Sequence, residues 1–86
     1  MKLQIFSVYD EKAAVFGTPI FLPHKGTAVR EFSDIALDKN SSIGKHPSDY
    51  KLMLLGEFDN VSGLFEGKAI PELVCTAVEF VNNINN

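Results

Sequence analysis

The sequence predicts an α+β domain, an antiparallel sheet of about four strands with helices on one face, in the order β-β-α-β-β-α. Three observations predict it. Residues 3–9 and 50–58 alternate with the two-residue period of a strand. Residues 28–36 and a second stretch near the C-terminal end carry apolar side chains at three- and four-residue spacing, the period of a half-buried helix. Asp59-Asn60-Val61-Ser62-Gly63 separates two apolar runs in the manner of a hairpin loop.

Each element follows in order. In residues 3–9, Leu3, Ile5, Ser7 and Tyr9 point one way and Gln4, Phe6 and Val8 the other. Both faces carry apolar groups, which suits an interior strand or one whose outer face meets a partner. Residues 10–17 read as a connector, with Asp10 starting a turn, Ala13, Ala14 and Val15 forming a helical turn and Gly17 free to take positive φ. Residues 18–23 form a short second strand, placed at an edge because Pro19 and Pro23 cannot donate to a ladder.

Thr27 is the expected N-cap of the first helix, of about 11 residues, with Ala28, Val29, Phe32, Ile35 and Ala36 on its apolar stripe. Arg30, Glu31, Asp34 and Asp38 lie largely on its other side. Residues 38–48 read as exposed loop. In residues 50–58, Tyr50, Leu52, Leu54, Gly56 and Phe58 alternate with Lys51, Met53, Leu55 and Glu57. Residues 64–67 make the fourth strand. Pro71 is read as the first turn of a second helix, whose stripe is Leu73, Val74, Ala77, Val78 and Val81, with residues 83–86 frayed. The whole of residues 1–86 is expected to be one domain.

The chemistry-bearing residues are few. Cys75 is the one cysteine, so no internal disulfide is possible; its place on an apolar stripe marks it as a small core residue. A single thiol also fits a reducing compartment. His24 and His46 each adjoin a proline, without the positioned partner that acid–base catalysis needs. No phosphate-binding loop, dinucleotide fingerprint or zinc-ligand spacing is present. The expectation is a protein that binds rather than catalyses, with no cofactor and no metal. No apolar stretch approaches the roughly 20 residues of a membrane-spanning helix, so no membrane partner is expected.

Net charge is −3, unevenly spread. Residues 1–51 hold seven basic and six acidic side chains; residues 52–86 hold Lys68 against Glu57, Asp59, Glu66, Glu72 and Glu79. A protein that tracks phosphates along a nucleic acid is usually basic overall. Any contact with single-stranded DNA must therefore use a local basic patch, and the acidic C-terminal part suits a basic protein partner.

Several segments together resemble a known family. They are Met1-Lys2-Leu3-Gln4-Ile5-Phe6-Ser7-Val8-Tyr9-Asp10, Lys12-Ala13, Pro19 with Phe21, and Gly26-Thr27-Ala28-Val29-Arg30-Glu31-Phe32. His46-Pro47-Ser48-Asp49-Tyr50, Leu55-Gly56-Glu57-Phe58-Asp59 and Gly63 complete the series. In this order they resemble the small nonstructural protein of gokushoviruses, single-stranded DNA bacteriophages of the microvirus family, over about residues 1–65. The resemblance implies a counterpart of the microvirus DNA-synthesis switch protein, which turns duplex synthesis toward single-strand synthesis coupled to packaging. It implies a host bacterial cytoplasm, and a replication initiator or procapsid protein as partner. It carries over no catalytic residue.

The candidate contact residues are Lys12, Lys25, Arg30, Lys45, His46 and Lys51, with Tyr9, Phe16 and Tyr50 as stacking or partner residues. A homodimer is expected from a sheet whose two faces are both partly apolar. Two other readings stand beside this one: an interaction or scaffolding module that recognises its partner through Glu57, Glu66, Glu72 and Glu79 without DNA, and a small enzyme using His24 or His46.

Overall fold

The computed structural model describes residues 1–85, with side chains to Val81; the expected fraying of residues 83–86 lies outside the described side chains. The architecture is the expected α+β one, an antiparallel sheet with its helices on one face. In chain order the elements are β1 (Lys2–Asp10), β2 (Val15–Phe16), β3 (Ile20–Leu22), α1 (Lys25–Leu37), α2 (Ser42–Lys45), a 3₁₀ turn (Pro47–Asp49), β4 (Tyr50–Asp59), β5 (Phe65–Thr76) and α3 (Ala77–Asn85).

β1 lies at the centre of the sheet. One of its edges pairs with β4 over its whole length, and the other pairs with β2 near Asp10 and with β3 near Ile5. β5 flanks β4 and forms the outer edge. The core fills the helix-covered face, where Phe6, Leu52, Leu54 and Cys75 of the sheet meet Ala28, Phe32 and Ala36 of α1 and Ala77 of α3. Residues 28, 32 and 36 are spaced by one turn each, so they form one line along α1. The two alanines let the helix backbone approach the sheet on either side of the Phe32 ring. Phe80 of α3 meets Phe32 of α1 edge to face at 6.4 Å, which docks the last helix against the first over the same core.

The structure departs from the sequence expectations at four places. β5 runs through Pro71, which is a strand residue and not the start of a helix; α3 begins only at Ala77. Pro71 is tolerated because residues 68–71 bulge out opposite Leu55, where the β4–β5 ladder is interrupted. The N-cap of α1 is His24, not Thr27, and it caps with no side-chain hydrogen bond. Residues 38–48 are not simply loop. The Ser41 hydroxyl accepts from the Gly44 N–H at 2.8 Å and lies 2.7 Å from the Ile35 carbonyl, so one serine closes α1 and opens α2. Residues 13–15 form no helical turn: Asp10 does start a turn, accepting from the N–H groups of Lys12 and Ala13, but Ala14 rather than Gly17 takes positive φ, and Val15 enters β2.

The hairpin between β4 and β5 forms where expected. The Asp59 carboxylate accepts from the N–H of Val61 at 2.9 Å, and Gly63 closes the turn at φ +77°. That N–H above all, with the N–H of Ser62, holds the Asp59 carboxyl below its ordinary range.

Two outcomes follow from the one-sided core. Leu52 is 1% exposed at its centre, so Leu52→Ala should lower unfolding free energy by about 2–5 kcal/mol, read from the urea midpoint at unchanged slope. Burial first, then the nearby Glu79 carboxylate, pushes the Cys75 thiol up to about 11. Thiolate is therefore scarce at pH 8, and a thiol reagent should label Cys75 slowly in the folded protein and rapidly in denaturant.

Candidate binding face of the sheet

The helices cover one face of the sheet and leave the other bare. Strand alternation and register assign Leu3, Ile5, Ser7 and Tyr9 of β1 to the bare face, beside Phe16 of β2 and Phe21 of β3. From β4 it receives Lys51, Met53 and Phe58, and from β5 Phe65, Leu73 and Thr76. Phe16, Phe21, Phe65 and Leu73 are all exposed large apolar groups, with Phe65 at 67%. Ser7 is the exception: it is 1% exposed because the chain after β2 passes over it, and its hydroxyl donates to the Gly17 carbonyl at 2.7 Å.

The aromatic side chains fall into two groups. At the Asp10 end of β1, the rings of Tyr9 and Phe16 stand 4.6 Å apart, tilted by 51°. Together with Lys51, Met53, Ile70 and Pro71 they line an open cleft of about 330 Å³. At the opposite end, Phe58 and Phe65 are 4.8 Å apart, and Phe21 meets both edge to face at 5.7 and 6.1 Å. Such tilted and edge-to-face pairs are the favoured aromatic geometries.

The structure brings most of the sequence-derived candidates to the first end. Tyr9, Phe16 and Lys51 share the bare face there. Around the corner, Lys12, His46 and Tyr50 line a second cleft with Asp10 and Asp49, and Lys45 ends α2 next to His46. The Glu11 N–H donates to the Asp49 carbonyl at 2.8 Å, which fixes the turn carrying Lys12 to the 3₁₀ turn. Lys51 is not free: its ammonium group is paired with the Glu11 carboxylate. Tyr50 is half-buried against the core rather than on the bare face. Lys25 and Arg30 lie elsewhere, on α1; Lys25 reaches Glu72 of β5 at 3.7 Å, and Arg30 is exposed on the helix layer.

Of the acidic residues, Glu57 and Glu66 are direct cross-strand neighbours at the outer end of the β4–β5 hairpin. Glu72 is engaged instead by Lys68 at 3.3 Å and by Lys25; contact with Lys68 above all keeps its carboxyl low. Glu79 accepts from the Thr76 N–H at the start of α3. The four do not form one face. His24 and His46 are exposed and lie on different segments, at the starts of α1 and of the 3₁₀ turn. Among the described residues, no group of three His, Cys, Asp or Glu side chains comes together as a metal site would require. No described helix is long and apolar enough to cross a membrane.

Sequence reasoning missed Phe21, Phe58 and Phe65. Their signal was weak: Phe58 falls in phase with Tyr50, Leu52 and Leu54, which are core positions. Leu55 is an extra residue on β4 opposite the Ile5–Phe6 step, and this bulge turns Phe58 to the face of Leu3.

These features define a small α+β sheet domain with one face given to its core and the other left open and aromatic. Residues 3–80 match the family described as Phage ORF5 protein, and the chain belongs to that family. No curated protein and no solved structure gives a match.

Proposed function

We propose that this phage protein is a nonstructural binding protein that regulates viral DNA replication and its switch to single-strand synthesis and genome packaging, and that it contacts single-stranded DNA directly. The observation that carries this reading is the cluster at one end of the bare face: the tilted ring pair of Tyr9 and Phe16 beside Lys51, with Lys12 and His46 around the corner. An open sheet face with aromatic rings offers successive bases a stacking platform, and flanking lysines hold the phosphates between them. The protein acts by binding, not by catalysis, in the host cytoplasm, with the replication initiator or the procapsid as its protein partner.

The balance of charge sets the strength of this contact. Lys12, Lys45 and Lys51 share this end with Asp10, Glu11 and Asp49. Glu11 occupies Lys51 in the free protein, so phosphate must displace a carboxylate before it can be held. Binding of modest strength follows, with a salt slope of about 0.7 for each phosphate neutralised on a single strand, as suits a factor that joins and leaves a replication complex.

Titration into labelled single-stranded DNA at about 50 and 200 mM salt tests the reading, because phosphate contacts weaken steeply over that range. Lys12→Ala with Lys51→Ala should weaken binding and flatten the salt slope by about 0.7 for each phosphate no longer neutralised. Phe16→Ala should cost about 1–3 kcal/mol of affinity with the slope unchanged, as removal of one stacking ring does. Glu11→Gln should tighten binding, since it releases Lys51. The absence of binding at both salt concentrations would exclude direct engagement of DNA.

The second reading, an interaction module that uses its acidic residues, is favoured by the facing Glu57 and Glu66. Reversing both charges should then abolish capture of a basic partner while the fold stays intact, read as an unchanged circular dichroism spectrum.

A further inference from the structure

The aromatic group at the other end of the sheet plays no part in the proposed DNA contact. Phe21, Phe58 and Phe65 form a closed trio of rings over Ile5, beside the hairpin residues Val61 and Leu64. Val61 is 83% exposed, Leu64 69% and Phe65 67%. We propose that this end of the sheet joins two copies of the chain, end to end about a two-fold axis.

Three observations select a second copy as the occupant. The first is area. Taking full side-chain areas at the scale of large apolar residues, these five positions leave on the order of 500 Å² of apolar surface in water. A standard interface covers about 800 Å² per partner, rather more than half of it apolar, so the patch matches one protomer's share.

The second is charge. Glu57 and Glu66 face each other across the ladder, and like charges directly opposite are destabilising. Neither has an ion-pair partner among the described residues, and Lys2 beside them has none either. Lys2, Glu57, Asp59 and Glu66 line one cleft with Leu64 and Phe65, at the same end of the sheet as the rings but turned to its other face. A two-fold contact sets each copy's Lys2 against the carboxylates of the other. The same carboxylates would repel a phosphate backbone, which separates this end from the Tyr9–Phe16 end.

The third is the state of the neighbouring edge. β5 is the outer strand, but Lys68, Glu72, Pro71 and two register shifts along it are the devices that block edge-to-edge pairing. With the edge blunted, association falls to the bare face, where the ring trio lies at the end away from Lys12, Lys45 and Lys51. The single domain is 44 Å long, with the two aromatic groups at opposite ends of its sheet, so end-to-end pairing gives an elongated dimer whose Tyr9–Phe16 ends both point outward.

Sedimentation velocity from low to high micromolar concentration, with small-angle scattering, tests this. The wild-type protein should form a dimer whose longest dimension approaches twice that of the single domain. Phe65→Asp, at an exposed site, should be monomeric with an unchanged circular dichroism spectrum, and Val61→Asp should weaken the dimer. Lys2→Glu should also weaken it, and adding Glu66→Lys to that variant should restore it. A wild-type protein that is monomeric throughout, a compact dimer, or a Phe65→Asp variant that dimerises normally would overturn the proposal. Phe65→Asp keeps Tyr9, Phe16 and Lys51, so its DNA titration reports separately on the proposed DNA contact.

Discussion

Phe6 sits where the whole arrangement is decided. It lies at the middle of the central strand, with no exposed surface, aligned with Leu54 of β4 on one side and Ile20 of β3 on the other. Burying a phenylalanine is among the larger favourable terms available to a small chain. The ring can be buried only if a helix lies across it. α1 does so with Ala28, Phe32 and Ala36, and α3 completes the layer. An 86-residue chain that devotes three helices to that face has none left for the other. The bare face is thus a consequence of where the core was built, and its aromatic content is the part that needs a functional explanation.

The bulge at Leu55 gives the outer end of the sheet its character. Without the extra residue, Phe58 would continue the Leu52–Leu54 line toward the helix side, and Glu57 would stand on the bare face. With it, Phe58 joins Phe21 and Phe65, while Glu57 and Glu66 turn to the other side. The next residue must then pass very close to β5. A Cβ on Gly56 would lie 2.3 Å from the Glu66 carbonyl oxygen and 2.9 Å from the Gly67 Cα, so only glycine lets the two strands stay paired there. The meeting of Phe58 with Phe21 and Phe65 thus rests on one inserted leucine and one glycine.

What could be read in the sequence, and what could not, divides along the same physical line. β1, α1, β4 and the Asp59–Gly63 turn were legible because each is specified locally: an alternation, a helical stripe, an Asx-type turn. Tyr9, Phe16 and Lys51 were legible as candidate contact residues, but the pairing of β1 with β2 and β4 is what makes them neighbours. β5 was not. Pro71 and the spacing of Leu73, Val74, Ala77, Val78 and Val81 imitate a helix start, and the pairing with β4 that makes residues 65–76 a strand is set by tertiary contact. Phe58 was misplaced for a related reason: a bulge reverses a period-two pattern without leaving a mark in composition. The two-residue β2 is likewise held by β1 rather than by its own sequence.

The charge asymmetry of the chain takes on meaning once it is laid on this sheet. Lysines from the first half of the sequence gather at the Tyr9–Phe16 end, and carboxylates from the second half gather at the end of the Phe58–Phe65 pair. Both ends offer aromatic rings, so hydrophobicity does not distinguish them; the balance of charge does. It is even where Lys12, Lys45 and Lys51 meet Asp10, Glu11 and Asp49, and negative where Lys2 meets Glu57, Asp59 and Glu66. Rings beside cations accept bases and their phosphates, whereas rings beside carboxylates repel them and favour protein. A net negative charge, which argues against a general nucleic-acid binder, is therefore compatible with a DNA contact confined to one end.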